Sequence, residues 1–103
     1  MLNSYQIKLS RVAEIELNEA INWYDLQVLG LSEKFYIEFD RVLNSIARNP
    51  YYASIKYNNT HIAYCKKFPY GIHYKIHESD KTVFITSIFH QQQQPFWYKT
   101  PNP

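Results

Sequence analysis

The 103-residue chain is poor in cysteine and glycine, with one of the first and two of the second, and it has no arginine after Arg48. A lone cysteine, Cys65, excludes an internal disulfide and any thiolate-rich metal site, so a reducing cytoplasm is the expected setting. With so few glycines, the chain is neither linker-rich nor disordered. Long apolar runs are missing too. Met1-Leu2-Asn3-Ser4-Tyr5 lacks the basic start and apolar stretch of a secretory leader, and no segment approaches a membrane span. Export and membrane insertion are therefore not expected.

What remains is enough for one domain with a modest core, expected over residues 1–98, with a proline-bearing tail at 99–103 that frays. Ten tyrosines stand out. A tyrosine joins a large apolar ring to a hydroxyl, which suits both a wet core edge and a binding surface. Charge is uneven. Residues 1–50 carry five Lys and Arg against seven Asp and Glu, whereas residues 51–103 carry six lysines against Glu78 and Asp80. All four histidines (His61, His73, His77, His90) also lie in the second half. Such a cationic half suits nucleic acid or an acidic protein segment as a partner.

Hydrophobic periodicity gives the element order. Tyr5 to Leu9 alternates like a strand, and Ser10 offers a helix cap. Ala13, Leu17, Ala20, Ile21, Tyr24 and Val28 then recur at helical spacing, with Glu14, Glu16, Asn18, Asn22 and Asp25 on the outside and Gly30 as the stop. A second series, Leu31, Phe35, Phe39, Val42 and Ile46, runs from Ser32 as its expected cap to Asn49-Pro50. So short a connection makes the helices antiparallel. Strands are expected at Ala53 to Tyr57, Ile62 to Lys67, Ile72 to Glu78 and Thr82 to Phe89, with a turn at Ser79-Asp80-Lys81. The order βααββββ predicts an α/β (α+β) domain: an N-terminal strand, a helical hairpin, then a mainly antiparallel sheet of about four strands. Thr82 to Phe89 is β-rich on both faces and is expected in the middle of the sheet.

The densest signal is Lys66-Lys67-Phe68-Pro69-Tyr70-Gly71-Ile72-His73-Tyr74-Lys75-Ile76. It reads as a basic segment, a tight Pro-Tyr-Gly turn and an alternating strand, with Ile72, Tyr74 and Ile76 facing a core and His73, Lys75 and His77 facing solvent or a ligand. Lys66 and Lys67 alternate across a strand, so only one can share the face of His73 and Lys75. Lysines on a strand edge also discourage unwanted pairing, and such an edge can accept a partner peptide. Lys56, His61, Lys66, Lys67 and Tyr70 are accordingly candidates for contacting a protein or nucleic-acid partner, with His61 expected in a loop before the strand. Trp97 and Tyr98 either dock on the domain or stack on a partner.

His90, His73 and Lys75 are the candidates for acid-base or cationic chemistry, as side chains that can exchange a proton or hold an anion. His73 and His77 lie roughly 13 Å apart on a strand at about 3.3 Å per residue, too far to share a metal ion. No metal and no cofactor is expected.

The landmarks Glu19-Ala20-Ile21-Asn22-Trp23-Tyr24, Leu29-Gly30-Leu31-Ser32-Glu33-Lys34-Phe35, Asn49-Pro50 and Lys67-Phe68-Pro69-Tyr70-Gly71-Ile72-His73-Tyr74, followed by His90 and Pro95, resemble in kind and order the RelE/ParE superfamily of toxins from type II toxin-antitoxin systems. The resemblance covers nearly the whole chain and is greater to the ParE-like, plasmid-stabilisation branch. It implies a cytoplasmic toxin that inhibits growth by binding a cellular target, DNA gyrase among the candidates, and that a cognate antitoxin neutralises in a hetero-oligomer. The alternatives it implies are a RelE-like endoribonuclease acting on messenger RNA at the ribosome, or an inactive binding module of the same fold. RelE-like ribonucleases typically carry an arginine where this chain has Gly71, and further basic residues where it has Gln91 to Gln94. Those two departures place the non-nuclease reading first.

Overall fold

Ser10 decides where the first strand ends and the first helix begins. Its N–H donates to the Ile85 carbonyl at 2.9 Å, as a strand residue would, while its hydroxyl oxygen accepts from the Ala13 N–H at 3.0 Å. Strand and cap geometry thus meet in one residue. The computed structural model describes residues 4–91, and strand β1 (Gln6–Leu9) leads through Ser10 into helix α1 (Arg11–Gln27). Helix α2 (Leu31–Arg48), strands β2 (Ile55–Tyr57), β3 (Thr60–Tyr64) and β4 (Tyr70–His77), a short 3-10 turn at Glu78–Asp80, and strand β5 (Thr82–His90) complete the order. Residues 99–103, Trp97 and Tyr98 lie outside the described residues.

The helix junction departs from expectation in two respects. α1 closes at Gln27, so Val28 caps it and is exposed rather than buried. Gly30 is the N-cap of α2 rather than the stop of α1, with φ of 83°, a left-handed conformation that glycine adopts without strain. Ser32, expected as that cap, sits in the first turn of α2 and donates its hydroxyl to the Asp25 carboxylate, tying the two helices together.

The sheet has five strands in the order β1-β5-β4-β3-β2. β1 pairs parallel to β5, and every other pairing is antiparallel. β5 is an interior strand, as expected, although β4 holds the middle place. Ala13, Ala20 and Tyr24 of α1 and Phe35, Phe39, Val42 and Ile46 of α2 join Ile72, Tyr74, Val83, Ile85 and Ile88 in one core. Both helices therefore cover the same face of the sheet. Each fully buried phenylalanine or isoleucine contributes on the order of 1.5–3 kcal/mol, and the aromatic cluster of Tyr24, Phe35, Phe68 and Tyr70, with centroids 5.1 to 6.3 Å apart, adds edge-to-face contacts.

The register between β4 and β5 slips once, between His73 and Tyr74: His73 stands opposite Ser87 and Tyr74 opposite Ile85. The residue left over is Thr86, whose hydroxyl donates to the His73 carbonyl at 3.3 Å. This bulge falls just after β1 ends against β5 at Ile85. Beyond it β5 continues for the rest of its length with β4 on one side and, among the described residues, no strand on the other.

Candidate functional site

The turn between β3 and β4 is built by Cys65 donating to the Tyr70 carbonyl at 3.0 Å and Tyr70 donating to the Phe68 carbonyl at 2.8 Å. Lys66 and Lys67 therefore project from an exposed turn and not from a strand edge, because β3 ends at Tyr64. The Lys66 N–H donates to Glu38 of α2 at 2.7 Å. Glu38 is held as a carboxylate by the Arg41 guanidinium at 2.8 Å, and this hydrogen bond lowers its pKa to about 2. The cationic turn is thus fastened to the second helix.

Gly71 is not a turn residue. It lies within β4, has no positive φ, and faces Tyr64 across the strands. A Cβ at this position would stand 3.0 Å from Ile62 Cγ2 and 3.3 Å from Tyr64 Cε1. Cross-strand packing accounts for the glycine, and an arginine here would have to displace the Tyr64 ring.

Alternation along β4 separates the catalytic candidates. Tyr70, Ile72 and Tyr74 face the helices, whereas Gly71, His73, Lys75 and His77 share the other face. His90 is paired with Tyr70, shares its face, and meets its ring edge-on at 5.0 Å. His90 and the pair His73 and Lys75 are therefore on opposite sides of the sheet, and the structure does not bring the three together. His73 is also buried, at 4% exposure, rather than open to solvent. The phenol of Tyr57 meets its Nδ1 at 2.9 Å, the Phe89 ring lies 5.9 Å away, and Ile62 stands beside it on β3. Burial pushes its pKa down to about 4, so at neutral pH it carries no charge for a phosphate. Lys75 and His77 are exposed, and His77 pairs with Asp80 at 3.1 Å.

His61 also departs from expectation. It belongs to β3, is buried, stacks on Tyr74 at 5.1 Å and places Nδ1 2.6 Å from the Ala53 carbonyl. Its ring is part of the core edge, together with the Tyr74 hydroxyl, which donates to Pro50 at 2.7 Å. Tyr70 is largely core as well. Lys56 is exposed on β2, the edge strand. Cys65 is buried, and loss of hydration raises its thiol to about 12, which removes it as a nucleophile at neutral pH. Among the described residues, no group of His, Cys, Asp and Glu is placed to hold a metal ion, and no helix is long and apolar enough to cross a membrane.

A concave site does exist, on the helix side of the C-terminal half of β5. A groove of about 520 Å³ runs between α1 and the strand end, lined by Glu16, Glu19, Ala20 and Trp23 from the helix and Tyr70, Ile88, Phe89 and His90 from the sheet. Of these only His90 and Tyr70 were singled out by the sequence as candidate site residues, and Glu16 was expected to be a solvated helix residue. Glu16 instead accepts from the Ile88 N–H at 2.7 Å and from the Ser87 hydroxyl at 2.9 Å. No local sequence signal marks it, because the groove arises where the short β1 stops pairing with the longer β5.

No protein-family model and no curated protein sequence matches the chain. Solved structures do match. A chain of the chromosomal ParDE toxin-antitoxin system of P. aeruginosa superposes with a TM-score of 0.71 at 12% identity, over 85% of this chain and 97% of that one. This chain has the RelE/ParE toxin fold. A chain of the RelBE2 toxin-antitoxin complex of Mycobacterium tuberculosis gives 0.58 at 18% identity over 84% and 98% of the two chains. A chain of the intact E. coli RelBE complex gives 0.59 at 13% identity over 87% and 100%. Among these three, the RelE/ParE fold seen here is nearest to the ParDE chain.

Proposed function

We propose that this chain is the toxin of a type II toxin-antitoxin module, that it acts in the ParE-like manner by binding a cellular target, and that a cognate antitoxin neutralises it. The observation that carries the reading is the near-complete superposition on the ParDE chain, which leaves almost none of that chain unmatched. Support for binding over RNA cleavage comes from the site. An acid, a base and a cation must converge on one phosphate to cleave RNA without metal, whereas His90 lies across the sheet from His73 and Lys75, and His73 is buried and neutral. Residues 51–103 contain no arginine to replace them. DNA gyrase is the target proposed first, on the resemblance to the ParE branch.

The test is controlled expression in bacteria with and without the small reading frame next to the gene. Growth arrest that the neighbouring frame relieves, with loss of negative supercoiling in a reporter plasmid, is expected. Absence of arrest when the chain is expressed alone would overturn the toxin reading and leave a binding module of the same fold. Arrest with normal supercoiling would overturn gyrase as the target.

A further inference from the structure

β5 is flanked on both sides up to Ile85, and beyond the bulge no strand of the described residues lies on its outer edge. Cys65 donates to the Tyr70 carbonyl and Gln91 donates to the Pro69 carbonyl at 2.6 Å, which fixes the parity of the ladder: Phe89 points its backbone toward β4, and Ile88 points its backbone away. The Ile88 N–H is taken by a side chain, the Glu16 carboxylate at 2.7 Å. In an extended strand the Ile88 carbonyl lies on the same edge as its N–H. A carboxylate therefore occupies the place where the backbone acceptor of a sixth strand would sit. Glu16 can bond the donor of this edge but has no donor of its own for the carbonyl, so it covers the edge only in part.

We propose that the groove between α1 and β5 receives an extended segment of the partner protein by strand addition at Ile88, and that this segment alternates basic and apolar residues. Backbone pairing supplies the register, as it does wherever a peptide extends a sheet. Side chains at every second position of the incoming strand would face the helix side, where Glu16, Glu19, the exposed ring of Trp23 and His90 line the wall. Two carboxylates and an indole face suit a lysine or arginine. Positions between them would face the opposite side, along Phe89. As the strand enters, Glu16 gives up the Ile88 N–H to a backbone carbonyl and turns its charge to the incoming cation. The carboxylate is thus both the cover of the open edge and the partner's recognition group, and an acidic strand is rejected by the same two charges.

Only the identity of the partner, an antitoxin, rests on the proposed function; the chemistry of the groove does not. The probe is the synthetic peptide acetyl-Val-Arg-Val-Arg-Val-amide, titrated into the full chain labelled for amide NMR. Saturable shifts of the Ile88 amide and the Trp23 indole are expected, weakened about tenfold by Glu19→Gln through loss of one charge contact. Replacing both arginines of the peptide by glutamate, or methylating its alternate backbone nitrogens, should abolish the shifts. Glu16→Gln, which keeps an acceptor for Ile88, checks that loss of binding follows charge and not folding. Equal binding of the glutamate peptide, no saturable shift at millimolar peptide, or shifts confined to the Lys66-Lys67 turn would overturn the proposal. Concentration-dependent shifts of the same amides without peptide would overturn it too, by assigning the groove to a second copy of the chain. Growth arrest is read in a separate experiment, so a non-toxic chain that binds the peptide is distinguishable from a toxic chain that does not.

Discussion

The two halves of β5 are one strand under two regimes. From Thr82 to Ile85 it is hydrogen-bonded to β1 on one side and β4 on the other, with Val83 and Ile85 fully buried beneath the helices. From Thr86 to His90 β4 is its one partner strand among the described residues, and the Ile88 N–H on the outer edge is covered by the Glu16 carboxylate. Both halves share the β4 ladder and the core, and they differ at the outer edge: the first half meets a strand there, the second a side chain over a groove. The strand thus offers one edge closed by backbone pairing and one closed by a side chain, and only the second can be opened by moving a side chain alone.

The largest expected effect breaks the paired half. Ile85→Ala removes a fully buried side chain from the core and should destabilise the protein by about 3 kcal/mol, read as a lower urea midpoint. Acid should act next, at the junction of the halves, where His73 sits opposite Ser87. Its pKa is depressed to about 4 in the folded protein, so its contribution is fully present above its unfolded value and is lost as pH falls toward 4. Between pH 7 and pH 4.5 this amounts to about 2 kcal/mol, and His73→Phe should flatten that part of a stability-against-pH curve.

Gly71→Ala is expected to cost less, about 1 kcal/mol. The added methyl meets Ile62 at 3.0 Å and Tyr64 at 3.3 Å, and this crowding outweighs the backbone entropy that alanine saves. Thermal melting measures the loss; a rise in midpoint would show that Tyr64 moves aside freely. Glu16→Ala should change global stability least, by roughly 0.5–1 kcal/mol, because water can reach the edge it covers. Hydrogen exchange would sharpen the contrast. The Ile88 amide should exchange faster in that variant, and the core amides of Val83 and Ile85 should not.

The sequence showed the helices clearly because their buried faces repeat at helical spacing, from Ala13 to Tyr24 and from Leu31 to Ile46. It failed where a residue's role depends on a distant neighbour. Gly71 looked like a turn glycine, yet what it accommodates is Tyr64, set opposite by the β3–β4 register. His73 looked exposed by strand alternation, and cover from Tyr57 and Phe89 makes it buried. Ser32 looked like a cap because its residue type favours caps, but Gly30 alone in that junction takes a positive φ. Glu16 lay in plain view on the polar face of α1, and nothing local reveals that its partner is an amide 72 residues away.

Mapping transcript 5′ ends shortly after induction of the chain without its neighbouring reading frame tests the central claim most directly. Growth arrest with no new 5′ ends is the predicted result. New ends that appear with arrest and vanish in Lys75→Ala or His90→Ala would contradict it, and would mean that residues set on opposite faces of this sheet still act together on RNA.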